Sequence, residues 1–200
     1  MSIKDHSQEH ENIPVQRDTG GTPATATRPG AAAPFAAVVR IVMGLVFAWA
    51  FLDKTFGWGY ATTAERAWVN GGSPTKGFLG NLDHGPFAAM FRGWAGDGWA
   101  DWLFMLGLAG VGIALLFGVG LRIAAVSGTL MMLLMWAAEW PLARFTDAGE
   151  PTMSTNPILD YHIVYALVLI WLAIIAAGNI WGFGKIWANL GFVKKNPWLR

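Results

Sequence analysis

From Ile163 to Gly184 the chain runs for 22 residues without one charged side chain, IVYALVLIWLAIIAAGNIWGFG. Wound as a helix rising 1.5 Å per residue, such a run covers ~33 Å, enough to cross a hydrocarbon slab roughly 30 Å thick. A soluble core helix of that length would carry a polar stripe, and this one has almost none. Asp160, Tyr161 and His162 stand immediately before it. The segment therefore reads as a membrane-spanning helix with a titratable head.

Three more apolar runs precede it. Pro34 opens one that reaches about Phe56, Asp101 and Arg122 enclose a second of 20 uncharged residues, and a third follows Arg122 to Glu139. Only 14% of the 200 residues are charged and 54% are hydrophobic, against about 25% charged in a soluble protein. The expected fold is all-α, an integral membrane four-helix bundle with spans near 34–56, 100–119, 121–140 and 158–182. Residues 1–33 read as a disordered polar tail, 34–185 as the transmembrane domain and 186–200 as a basic, aromatic interfacial tail. In the long connection after the first span, Phe87, Phe91 and Trp94 fall on one helical face, which predicts a short interfacial helix.

The charges inside these runs need an account. Arg40 and Asp53 bracket only 12 uncharged residues, ~20 Å of helix. Arg40 is expected to snorkel to a surface, while the short side chain of Asp53 cannot. On the second span, Gly110, Ala114 and Gly118 form small-x-x-x-small pairs that suit close helix packing. Met131, Met132 and Met135 read as adaptable packing.

Other motifs carry little. His6-Ser7-Gln8-Glu9-His10 matches the H-x-x-E-H metalloprotease spacing, but a polar tail gives no rigid helix to hold both imidazoles. Gly71 to Gly77 lacks the Gly-Lys-Ser/Thr ending of a phosphate loop. With no cysteine in the chain, thiol redox chemistry and thiolate metal sites are excluded for this chain acting alone.

Lys and Arg set an orientation. The N-terminal tail with Arg40, the short turn at Arg122 and the C-terminal stretch from Lys185 onward hold nine of the 14 basic residues. The positive-inside rule then predicts a multi-pass protein of the cell membrane with both termini cytoplasmic. That topology gathers Asp53 and Lys54, Asp101, Glu139, and Asp160 with His162 at the outer helix ends. Ionisable groups held at membrane depth are functional candidates by default.

Several of these segments carry a resemblance. Leu52-Asp53-Lys54-Thr55-Phe56-Gly57, Asn70 to Gly77, Ala100 to Met105, Glu139-Trp140-Pro141, Ser154-Thr155-Asn156-Pro157, Asp160-Tyr161-His162 and Asn196 to Arg200 resemble the actinobacterial DoxX-like membrane proteins. That group is similar to DoxD, a membrane subunit of thiosulfate:quinone oxidoreductase. The likeness covers about Pro34 to Arg200 and implies a quinone-linked membrane subunit. Vitamin K epoxide reductases also hold a quinone at the outer end of four helices, but they use a Cys-x-x-Cys that this chain lacks.

The expected site follows from both readings. A quinone lies between the outer helix ends, against Trp136, Trp140 and Tyr165, with Asp53 and Lys54 beside it. His162, Asp160 and Glu139 handle its protons, since quinone reduction takes up two protons with two electrons. Expected partners are the lipid bilayer and either a partner subunit or a second copy of the chain, with no nucleic acid. A non-catalytic scaffold recruiting an enzyme, and a small transporter, are the competing readings.

Overall fold

The computed structural model of the chain describes Gly30 and residues 32–200. The H-x-x-E-H match and nearly all of the 1–33 tail lie outside the described residues. Those described form an all-α fold with no strand, only an isolated bridge between Phe145 and Pro151. The long helices are α1 (Ala32–Phe56), α4 (Gly98–Phe117), α5 (Leu121–Glu139) and the shorter α6 (Tyr161–Ile174). Between α1 and α4 lie two 3₁₀ turns and the short helices α2 (Lys76–Leu79) and α3 (Ala88–Trp94). After α6 come a 3₁₀ turn (Ala177–Asn179), α7 (Gly184–Asn189), α8 (Gly191–Lys195) and a last 3₁₀ turn (Pro197–Leu199).

Helix α5 packs along α6, α1 along α4, α4 on α5, and α1 touches α6. Their inward faces share one core: Met43 and Phe47 of α1, Met105 and Leu115 of α4, Met132 of α5, Leu169 and Leu172 of α6. Their outward faces are apolar too, with Leu45, Leu106, Val126 and Leu167 all exposed. A water-facing surface does not carry contiguous apolar faces of this extent. Three helices, α1, α4 and α5, are long and apolar enough to cross a membrane. The predicted boundaries of these three agree with the structure to within two residues.

The fourth helix does not run as expected. It ends at Ile174, after 14 residues, so it spans only ~21 Å. The chain breaks at Ala176, whose φ of 49° lies in the left-handed region, and again at Trp181, at 50°. The break is a packing solution. Gly178 lies so close to the backbone of Gly118, in the turn between α4 and α5, that a side chain on either would collide with the other; a Cβ on Gly118 would stand 2.8 Å from the Gly178 Cα.

Arg40 is what makes the break tolerable, and it does not snorkel. It is fully buried, 0% exposed. Its guanidinium donates to the carbonyls of Leu115 and Leu116 (3.0 Å to the second) at the end of α4. It also donates to the Ile180 and Trp181 carbonyls at 3.3 and 2.9 Å. The last carbonyls of a helix have no partner within it, and those of a broken segment are equally orphaned. One side chain thus serves two frayed ends, and its charge meets the negative end of the α4 dipole.

Of the expected packing glycines, Gly118 makes the close approach just described, and Gly110 does not. Nothing lies within 4 Å of a Cβ placed on Gly110, which faces outward. Gly112 and Gly44 are the close contacts: a Cβ on Gly112 would meet the Ala48 backbone nitrogen at 2.8 Å, and one on Gly44 the Leu116 nitrogen at 2.9 Å. Replacing Gly112 by leucine forces α1 and α4 apart and should cost about 1–3 kcal/mol, the usual penalty of overpacking. Gly110→Leu should leave the melting curve in detergent where the parent has it. Equal losses in the two variants would contradict this packing.

Candidate functional site

Every Asp and Glu among the described residues belongs to one end of the helices or to the connections there, and the opposite end carries only cations. At the acidic end, Asp160 is the N-cap of α6. Its Oδ1 accepts from the backbone N–H groups of His162 (3.1 Å) and Ile163 (3.2 Å), as an N-cap carboxylate does. That leaves Oδ2 free to lie 2.8 Å from the Nδ1 of His162. Glu139, at the last turn of α5, places Oε2 3.9 Å from the same nitrogen, and its Oε1 accepts from the Tyr161 hydroxyl at 3.2 Å.

His162 itself is fully buried, 0% exposed. A carboxylate oxygen only accepts, so the proton of a neutral imidazole resides on Nδ1. The other ring nitrogen, Nε2, is buried without a hydrogen-bond partner. An unsatisfied buried polar atom is costly, and it is the kind of cost retained where a group has chemistry to perform. The Tyr161 ring lies against the imidazole, 3.9 Å between centroids.

Beside this cluster is a cleft of about 440 Å³. Glu139, Asp160 and Tyr161 border it from the helices; Asp83 and His84 border it from the first long connection, Ser154 and Asn156 from the second. His84 locks this wall in place: its Nδ1 pairs with Asp83 at 2.7 Å and its Nε2 donates to the carbonyl of Glu139 at 2.8 Å. Sequence reasoning passed over His84, although an Asp-His pair between a Leu and a Gly was a visible signal. One oxygen or nitrogen from each of Glu139, Asp160 and His162 lies within 4.8 Å of the others, a spacing on which a metal ion can close.

The expected residues divide into three groups. Glu139, Asp160 and His162 come together as predicted. Trp136, Trp140 and Tyr165 lie around them without bordering the cleft. Trp136 donates to the Ile158 carbonyl at 3.0 Å, Trp140 closes α5 with a φ of 42°, and Tyr165 packs on Tyr161 and on the core residue Phe47. Asp53 and Lys54 do not join the cleft. Asp53 is 1% exposed and accepts from the backbone amides of Tyr60 and Ala61 at 3.4 and 3.0 Å, fastening the connection that leaves α1. Lys54 lies over the Phe104 ring at 5.8 Å. Asp101 is similarly consumed, accepting from the Ser73 and Thr75 hydroxyls and the Thr75 amide.

The architecture defines an all-helical protein with three candidate membrane helices and, at one end, a buried imidazole flanked by two half-buried carboxylates. No family model, no curated protein and no solved structure matches the chain.

Proposed function

We propose that the chain is a four-crossing integral membrane protein whose carboxylate–imidazole cluster exchanges protons with a quinone, as the membrane subunit of a DoxX/DoxD-like, thiosulfate:quinone type oxidoreductase. The observation that carries this reading is His162, buried behind the wall of a cleft, with Nδ1 hydrogen-bonded to Asp160 and 3.9 Å from Glu139, and with Nε2 without a partner. Such an imidazole can take a proton at Nε2 and release one from Nδ1 toward Asp160 or Glu139, which is what a proton relay requires. A bound quinone supplies the two-electron chemistry, with two protons taken up on reduction to the quinol. The electrons come from thiosulfate or a partner subunit, since the chain has no thiol pair. The fit is partial on the apolar side: Phe78 and Tyr161, not the expected tryptophans, line the cleft.

The broken end of α6 supports the four-crossing reading. Non-helical backbone at membrane depth is tolerated only when protein satisfies its polar groups, and Arg40 does this for Ile180 and Trp181. The distribution of Lys and Arg supports cytoplasmic termini in the cell membrane, with the acidic end outside.

Mass spectrometry of small molecules extracted with the purified protein tests the assignment. The expected result is a retained quinone that a sulfur donor reduces. Copurification of a soluble enzyme without quinone would instead make the chain a recruiting scaffold.

A further inference from the structure

The end of the helices opposite the cluster has a different chemistry. Residues 102–138 and 161–200 contain no Asp or Glu, while Arg122, Lys185, Lys194, Lys195 and Arg200 fall within them. The C-terminal segment folds back on the start of α5: the Arg122 guanidinium donates to the Trp198 carbonyl at 3.2 Å, and the Trp187 indole donates to the Leu199 carbonyl at 2.8 Å. Below this joint an open groove of about 680 Å³ runs between α5 and α6, with Arg122 and Trp198 at its head. Leu130 and Leu133 form one wall, Ile170 and Ile174 the other. Thr129 also lines it, and its hydroxyl oxygen is buried without a partner.

We infer that this groove holds one anionic phospholipid, its phosphate at Arg122 and one acyl chain along α5 and α6. The inference rests on the membrane reading above. Charge complementarity selects the occupant: the head of the groove is cationic, with no Asp or Glu in residues 102–138 or 161–200 around it, so a negative headgroup is favoured over a zwitterionic one. From Arg122 to Leu133 the groove follows ~16 Å of helix, a length suited to an acyl chain rather than to a compact ligand.

Native mass spectrometry of the full chain in detergent, titrated with dioleoyl phosphatidylglycerol or dioleoyl phosphatidylcholine, tests this. The parent should bind the glycerol lipid about fivefold more tightly, the effect of roughly one well-placed Arg. Arg122→Gln should abolish that preference, and Leu133→Trp, which fills the groove, should weaken binding of both lipids. Arg122 and Leu133 are exposed, so both variants should melt like the parent. A preference that survives Arg122→Gln, or binding unaffected by Leu133→Trp, would overturn the inference. So would a dimer that Leu133→Trp converts to monomer, since a second copy would then be the occupant. A chain that stays monodisperse without detergent refutes the membrane reading itself, whereas a detergent-dependent chain indifferent to headgroup refutes only the lipid site.

Discussion

Arg40→Leu is expected to melt far below the parent in detergent, or to fail to purify as a single species. The guanidinium is wholly buried and donates to four carbonyls on two separate segments, at the end of α4 and beyond the break after α6. Leucine fills much of the volume but leaves those carbonyls without donors. A buried carbonyl left without its donor costs about 1–3 kcal/mol, so several lost together take a large share of a stability usually within about 5–15 kcal/mol. Arg40→Lys should recover only part of the loss, because an ammonium is a compact charge and cannot fork between two segments. If Arg40→Leu melts like the parent, the guanidinium reaches water in the membrane-bound protein, and the break after α6 has another cause.

The second large effect is at Asp160. Its carboxylate caps two amides of α6 and holds the buried His162. Asp160→Ala removes the cap, worth about 1 kcal/mol, and strands a buried Nδ1, worth about 1–3 kcal/mol. A loss of roughly 2–4 kcal/mol should follow, read from thermal melts. Asp160→Asn should be much milder, because Asn caps as well as Asp. Its amide nitrogen can donate to Nδ1, however, which moves the imidazole proton to Nε2. Nitrogen NMR of labelled histidine should report that tautomer change at nearly unchanged stability. A parent-like tautomer would mean that Glu139, not Asp160, decides where the proton resides.

Much of this molecule was legible from residue patterns, and the exceptions have physical causes. Helices α4 and α5 follow from uncharged runs bounded by Asp101, Arg122 and Glu139, and α1 from the apolar run opened at Pro34, because length and apolarity largely determine such elements. The association of Glu139, Asp160 and His162 was legible because each stands at the end of a long apolar run on the same side. The break in α6 was not, since Ala176 and Ile180 look helical and the run contains no charge. Gly178-Asn179 was the overlooked stop signal, a pair that favours a helix C-terminus. Arg40 was misread for the same reason: its partners are backbone carbonyls, which a residue-type pattern does not display. Asp53 and Asp101 show the converse limit. Both are buried acids at helix ends, as expected, but their hydrogen-bonding capacity is taken up by loop amides and hydroxyls, and only coordinates distinguish a fastening acid from a reactive one.

The proposed function requires Asp160, Glu139 and His162 to act as one unit on a quinone. Asp160→Asn and Glu139→Gln each remove a charge while keeping size, with one acceptor oxygen exchanged for an N–H donor. Quinone binding should be measured for the parent, the two single variants and the double variant, across pH. Coupled groups in direct contact depart from additivity by about 0.5–3 kcal/mol. Each single variant should therefore weaken binding and alter its pH dependence, and the double variant should lose clearly less, or more, than the two losses combined. If all three variants bind quinone as the parent does at every pH, the cluster only closes helix ends and the quinone assignment is wrong.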